Sequence, residues 1–500
     1  MALFRQLKSL IAQSATYGLG DLLTKAVAFL LIPVYTRYLS PADYGIVGVA
    51  SSLTTVLGIL YPLGLNAAAM RFYYDAPDDK ARRELLGTLA VAVLLFGLAL
   101  TLILAATPFG PALFGLAVRD IPFSPYITTL LWTACFANAS VIPLVVFRVQ
   151  ERPRRYVAYT VGGFLLTTAG ILYFVVGRRA EALGNLRGMM LASAVMAAVY
   201  VLATFRHADF VFKWRWFADG LVYGLPVVPH LLAHWALTLS DRSILNHMVP
   251  LEQVGVYTLA YQVSIALSLI TQALNTAWMP FFYRLASESD AERKLARFFT
   301  YYLGIAVFAA LGLAMLGGDI ILVVADPAYH EAARRVPAIT LAHLAQGFYY
   351  PAVFALFYRR KTLYLPILTG SAAALNIALN VALIPRWGID AAAWSKVAAY
   401  VLLAVITFVA GQRVYPIPWE GRRVALMVGL GAAVWAASAL VLGPAPLGLR
   451  VAARLALLAA FPALLWLARF PTADERGYVM RFLADRRDAL RTRRHKDTKG

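Results

Sequence analysis

Ionisable residues inside long apolar runs are the positions where this sequence could do chemistry. Asp21 and Lys25 stand one helical turn apart in the first apolar run, Asp241 and Arg242 are adjacent at the end of a run in the middle of the chain, and Lys396 lies in a late run. Each charge costs roughly 2.5 to 3.5 kcal/mol at the centre of a membrane helix, so such groups face wet cavities or each other. Asp21 and Lys25 fit either a self-neutralising i,i+4 pair or a cavity lining that could couple to an ion. Asp241 and Arg242 are neighbours and so point in different directions; they suit an outer-mouth charge site or a snorkelling helix end. Lys396 has no acid within a turn, only Asp390 further off, and is expected to face a cavity.

Polar but uncharged groups come next. Asn66, Asn275, Asn376 and Asn380 read as buried amides, either hydrogen-bonding helices together or meeting sugar hydroxyls. Pro33, Pro62, Pro143, Pro226, Pro229 and Pro351 interrupt apolar runs, where a missing N–H bends the helix and provides either a packing kink or a hinge. His230 and His234 have i,i+4 spacing, but Leu231 stands where a zinc-protease motif needs Glu, so no metal is expected. Gly18-Leu19-Gly20 lacks the third glycine of a dinucleotide loop, and no hydrolase motif surrounds the serines. No cofactor and no enzymatic activity are expected, and without an ATP-binding domain any transport must be passive or driven by an ion gradient.

The elements that must hold these residues follow from composition. The chain has 500 residues, 61% hydrophobic against 14% charged, and a mean hydropathy of +0.67. Apolar runs of roughly 20 residues, the length that crosses about 30 Å of hydrocarbon, recur throughout. The reading is an all-α integral membrane protein with about fourteen spans, near residues 14–36, 42–70, 84–107, 123–147, 156–176, 185–205, 217–240, 253–280, 297–317, 333–357, 362–384, 390–411, 423–442 and 450–468. The N-terminal run is followed by no cleavage motif and reads as a retained first span. One cysteine, Cys135, excludes an intrachain disulfide.

The net charge of +20 is spread over short inter-span segments, which argues against nucleic acid as a partner. Most Lys and Arg, Arg71 among them, fall on one face if both termini are cytoplasmic, as the positive-inside rule asks. Trp214 and Trp216 flank Arg215 as an interfacial anchor. At the end of the chain, Thr472-Ala473-Asp474-Glu475 is a capping box ahead of a basic amphipathic stretch, expected to lie on the anionic leaflet or, over its last ten residues, to fray.

The two halves repeat. Leu65 to Tyr74 and Leu274 to Tyr283 share six of ten residues at a shift of 209, Leu39 to Ile46 maps onto Val249 to Val256 at 210, and Pro143, Arg152, Tyr156 and Gly162 map onto Pro351, Arg360, Tyr364 and Gly370 at 208. Six spans per copy give two parallel, pseudo-symmetric lobes around a central cleft, 1–210 and 211–415, with spans thirteen and fourteen at 416–469 and a basic tail at 470–500.

Four stretches carry a family resemblance: Pro33 to Gly45, Asp241 to Leu245, Val254 to Tyr261, and Leu375 to Ala392. Together they resemble the polysaccharide-exporter branch of the multidrug, oligosaccharidyl-lipid and polysaccharide exporter superfamily. The resemblance implies a flippase for undecaprenyl-diphosphate-linked oligosaccharide, with a V-shaped cleft lined by cations that match Lys25, Arg71, Arg242 and Lys396, and with alternating access. It places the chain in the bacterial cytoplasmic membrane, beside polysaccharide polymerase machinery. Asn66 and Asn275 join the cleft set as repeat counterparts, Asp21 and Asp241 are candidates for ion coupling, and Pro33, Pro62, Pro226 and Pro229 for hinges. Rival readings are a multidrug antiporter or a lipid II flippase of the same fold, and, from another class, a membrane glycosyltransferase, against which the short outer loops argue.

Overall fold

The computed structural model describes residues 27–477, apart from 28, 287, 289, 443 and 444. Every regular element among the described residues is a helix, the one architecture besides a closed barrel that satisfies every backbone polar group in hydrocarbon. In chain order the helices are α1 (Ile32–Tyr38), α2 (Pro41–Leu60), α3 (Leu65–Asp75), α4 (Asp79–Ala106), α5 (Phe109–Ala117), α6 (Thr128–Asn138), α7 (Val141–Val149), α8 (Pro153–Leu172), α9 (Glu181–Phe205), α10 (Trp214–Gly224), α11 (Val227–Thr238), α12 (Ser240–Met248), α13 (Leu251–Leu285), α14 (Ala291–Val324), α15 (Val336–Tyr358), α16 (Tyr364–Val414), α17 (Gly421–Leu442) and α18 (Leu447–Leu467). A 3₁₀ segment, Pro327–Arg335, precedes α15.

Local sequence explains where helices start and break. Ser40 and Asp43 cap α2 reciprocally: Asp43 N–H donates to Ser40 Oγ at 3.2 Å and Ser40 N–H to Asp43 Oδ2 at 3.0 Å, with Pro41 in the first turn. Asp78 accepts from Ala81 N–H at 2.7 Å to start α4. The run expected as one span over 42–70 is two helices, because Pro62 and Gly64, the latter at φ 74°, separate α2 from α3. Pro226 lies between α10 and α11, which are bent by 44°, whereas Pro229 falls in the first turn of α11 and Pro33 in that of α1, where no intrahelical N–H is lost.

Among the described residues, ten helices are long and apolar enough to cross a membrane, or eleven if α10 and α11 form one broken span. Of the other expected spans, 14–36 lies largely outside the described residues, and 333–357 is present as α15, which is not among the ten. The pair 362–384 and 390–411 is the two arms of α16. Its 51 residues would extend about 76 Å as a straight helix, over twice a bilayer core, but Gly388 at φ 55° and ψ −139° breaks it. Apolar side chains on outer faces, such as Leu95, Leu98, Leu102 and Ile103 of α4, remain exposed, as lipid-facing surface should.

The chain forms two compact units, one of residues 1–284 and 317–416, the other of 285–316 and 417–500. In the second, the capping box at the start of the tail forms as the sequence suggests: Thr472 N–H donates to Glu475 Oε2 at 2.8 Å. Arg423 Nη2 reaches the same carboxylate at 2.9 Å. The interfacial stretch beyond 477 lies outside the described residues, as do Asp21 and Lys25.

Candidate functional site: a buried charge cluster beside a helix break

The first unit contains a charge cluster in the second half of the chain. Leu239, at φ −129° and ψ −13°, separates α11 from α12. The break leaves the last carbonyls of α11 without intrahelical donors. Lys396, from the second arm of α16, fills that gap: its Nζ donates to Leu237 O at 3.0 Å and Thr238 O at 2.9 Å, and meets Asp241 Oδ2 at 2.6 Å. An ammonium has three N–H groups, and all three are used. The side chains of Lys396 and Asp241 are 0% and 1% exposed.

Asp241 is satisfied from one further helix and from the other arm of α16. Tyr257 of α13 donates its hydroxyl hydrogen to Oδ2 at 2.7 Å, and Asn380 of α16 donates from Nδ2 to Oδ1 at 2.9 Å. Asn376 Oδ1 in turn accepts from Asn380 at 3.4 Å. The carboxylate thus receives the charge-assisted bonds that make a buried ion tolerable.

Arg242 is different. It is 5% exposed, its guanidinium lies 4.5 Å from the centroid of the Tyr261 ring, and its Nε has no hydrogen-bond partner. It makes no ion pair among the described residues. The cluster therefore holds one neutralised cation and one that is not.

The remaining sequence candidates lie elsewhere. Arg71 is exposed and paired with Asp75 at 2.7 Å. Asn66 is exposed and Asn275 half-buried, unlike the buried amides expected, while Asn376 and Asn380 are fully enclosed. Asn66 follows the break at Gly64 by two residues. Asp390, the acid nearest to Lys396 in sequence, is held by Arg335 at 2.8 Å. The partner of Lys396 is instead 155 residues away, which one-turn spacing could not reveal. Tyr257, Tyr261 and His343 were not singled out from the sequence either; His343 and Gln346, three apart in an otherwise apolar run, were the available signal.

The two halves meet closely where α2 and α13 begin. Gly45 and Gly255 are repeat counterparts: a methyl on Gly45 would overlap the Leu251 carbonyl oxygen, and one on Gly255 that of Pro41. Flanking this contact are two ties of matching position. Asn246, at the end of α12, exchanges two hydrogen bonds with the Arg119 backbone at 2.7 and 2.9 Å. Thr36, its counterpart at a shift of 210, accepts from Asp326 N–H at 3.4 Å, and Tyr329 donates its hydroxyl hydrogen to Leu39 O at 2.9 Å.

Broken membrane helices, a buried charge cluster at one break and symmetric ties between repeated halves define a multi-pass membrane protein built from two repeated halves. The model of the polysaccharide biosynthesis protein family matches residues 10–286, and the chain belongs to that family. A relative from Haemophilus influenzae, Lsg locus putative protein 1, is 26% identical over 285 residues, 54% of this chain. The chain spans 65% of that relative's length. Among solved structures, the lipid II flippase MurJ in an inward closed conformation superposes with a TM-score of 0.74 at 12% identity, over 91% of this chain and 99% of that one. An inward-facing multidrug resistance MATE family transporter of the MOP superfamily gives 0.61 at 16% identity, over 80% and 94%. The chain shares the fold of these two solved structures.

Proposed function

We propose that the protein flips an undecaprenyl-diphosphate-linked oligosaccharide from the cytoplasmic to the outer leaflet of a bacterial cytoplasmic membrane, coupled to an ion gradient. The carrying observation is Arg242, a buried guanidinium without an ion-pair partner among the described residues. A cation in a low-dielectric setting is costly until an anion arrives, and a diphosphate headgroup brings that anion while its prenyl tail stays in lipid. The reading takes 1–210 and 211–415 as parallel lobes, spans thirteen and fourteen at 416–469 as lying outside the pair, and the 470–500 tail as basic and cytoplasmic. Lys25, Arg71, Lys396, Asn66 and Asn275 complete its cleft set, Asp21 and Asp241 serve ion coupling, and Pro33, Pro62, Pro226 and Pro229 serve as hinges. The contact of Gly45 with Gly255 supports alternating access, since glycine pairs let the lobes close on one side without interlocked side chains.

Complementation tests the reading. Expressed in a strain lacking its polysaccharide flippase, the chain restores surface glycan, and Arg242→Ala at equal protein level abolishes it. Lys25→Ala and Lys396→Ala reduce it. Absence of glycan with protein present in the membrane rejects that glycan, and ethidium efflux by the same cells would transfer the assignment to drug export.

A further inference from the structure

A second polar column reaches the cluster through three helices. His343 of α15 is 1% exposed. Its Nδ1 lies 3.2 Å from Gln346 Oε1, which also accepts from Ser268 Oγ at 3.2 Å. Ser268 Oγ accepts in turn from Gln272 Nε2 at 2.7 Å, and Gln272 is exposed. An amide oxygen only accepts, so the imidazole hydrogen sits on Nδ1. That leaves Nε2 with its lone pair, buried and without a partner. The Tyr400 hydroxyl, on the ring beside it at 6.4 Å between centroids, is likewise buried and without a partner.

The groups facing this imidazole are few. Tyr261 of α13 meets it edge-on at 5.3 Å, Tyr400 and Lys396 approach from α16, and Gln346 lies on its own helix. No carboxylate pairs with it among the described residues, and the cluster's acid, Asp241, is held by Lys396. The repeat supplies a control for what the fold requires. At a shift of 208, His343 corresponds to Cys135, Asn380 to Leu172 and Lys396 to Gly188, and at 210 Asp241 corresponds to Leu31. At the position of His343 the first half carries only a thiol, so a buried imidazole there is not a demand of the architecture, and its cost in hydrocarbon calls for a function.

We infer that Nε2 of His343 is the binding site for a coupling proton. The proton forms the N–H bond at Nε2 from water that reaches the ring in one conformation and leaves to water in the opposite one, while Gln346, held by Ser268, keeps Nδ1 as the donor. The imidazolium then stands near the Lys396 ammonium with no carboxylate of its own among the described residues. Like charges weaken each other's hold, so protonation loosens Lys396 from Asp241 and from the Leu237 and Thr238 carbonyls. This frees the α11–α12 break, and α12 carries Arg242. The inference rests on the flippase reading for its role, though not for the proton site itself.

The test reads the site and the transport separately. The full chain, labelled with ¹⁵N-histidine, is placed in lipid nanodiscs and titrated from pH 4 to 9. The His343 resonance is assigned by its loss in His343→Gln or, if that variant does not fold, by its movement in Gln346→Leu. It should show a bare Nε2 at high pH and titrate on acidification, and Lys396→Met should raise its midpoint by about one unit or more. A His343 signal constant over this range, or a midpoint unmoved by Lys396→Met, overturns the inference. In liposomes containing undecaprenyl-diphosphate oligosaccharide, an imposed pH gradient should speed flipping by wild type several-fold and leave His343→Gln at its gradient-free rate. If His343→Gln keeps the gradient response, the proton inference falls and the flippase reading stands. If His343 titrates as expected but no lipid is flipped, the proton site stands and the flippase reading falls.

Discussion

Lys396 and Asp241 depend on each other, since both side chains are enclosed and 2.6 Å apart. A buried ion pair roughly breaks even against a well-packed apolar pair, whereas removing one partner strands the other. Lys396→Met therefore leaves Asp241 with a full charge and only the Tyr257 and Asn380 donors, and should destabilise by about 3 to 5 kcal/mol. Adding Asp241→Leu should recover most of that loss. Thermal unfolding of the two single variants and the double variant in detergent measures the coupling, and additive losses would mean that the pair does not interact as its geometry requires. Glycan complementation should be reduced in all three, including the restabilised double variant.

At the scale of elements, the approach between halves where α2 and α13 begin needs glycine on both sides. A side chain at Gly255 must displace the Pro41 carbonyl, and with it the start of α2. Gly255→Leu should therefore hold this end open. A cysteine pair introduced at Thr36 and Asp326, in a chain with Cys135 replaced by Ala, reports the state: oxidative crosslinking should be efficient while Gly255 is kept and fall several-fold once Gly255→Leu is added. Unchanged crosslinking would mean that this contact does not govern closure. The capping box of the tail helix makes a different prediction. Burial raises the Glu475 pKa, but hydrogen bonds from Thr472 and Tyr301 and the charge of Arg423 outweigh it, and the net value is lowered. Its stabilisation is thus complete above the ordinary glutamate value near 4.3 and is lost as pH falls through the lower folded value. Protease cleavage after Arg476 should rise over that acid range in wild type, and already be raised at neutral pH in Glu475→Gln.

At the scale of the whole molecule, what was legible in the sequence followed from periodicity and length. Spans such as Asp79–Ala106 and Glu181–Phe205 stood out because lipid demands about 20 apolar residues in a row. The gap left between 362–384 and 390–411 holds the break at Gly388, whereas the break at Gly64 was hidden inside the span expected over 42–70, since a glycine in an apolar run signals a positive φ only once tertiary packing uses it. The pairing of Asp241 with Lys396 was hidden for another reason: it joins helices far apart in the chain, and no local pattern encodes it. Span number is the property on which sidedness depends. Fourteen crossings would place both termini and the loops at Arg152 and Arg360 on one side, with Arg119 and Asp326 on the other, and the excess of Lys and Arg would then face the cytoplasm. Single cysteines at these four positions, in the chain with Cys135 replaced by Ala, should be labelled by a membrane-impermeant maleimide from opposite sides: those at Arg119 and Asp326 from outside intact cells, those at Arg152 and Arg360 only after lysis. An odd count would break this pattern between Arg360 and the tail, because the two arms of α16 would no longer each cross, and a reporter fused after Leu467 would then read as external.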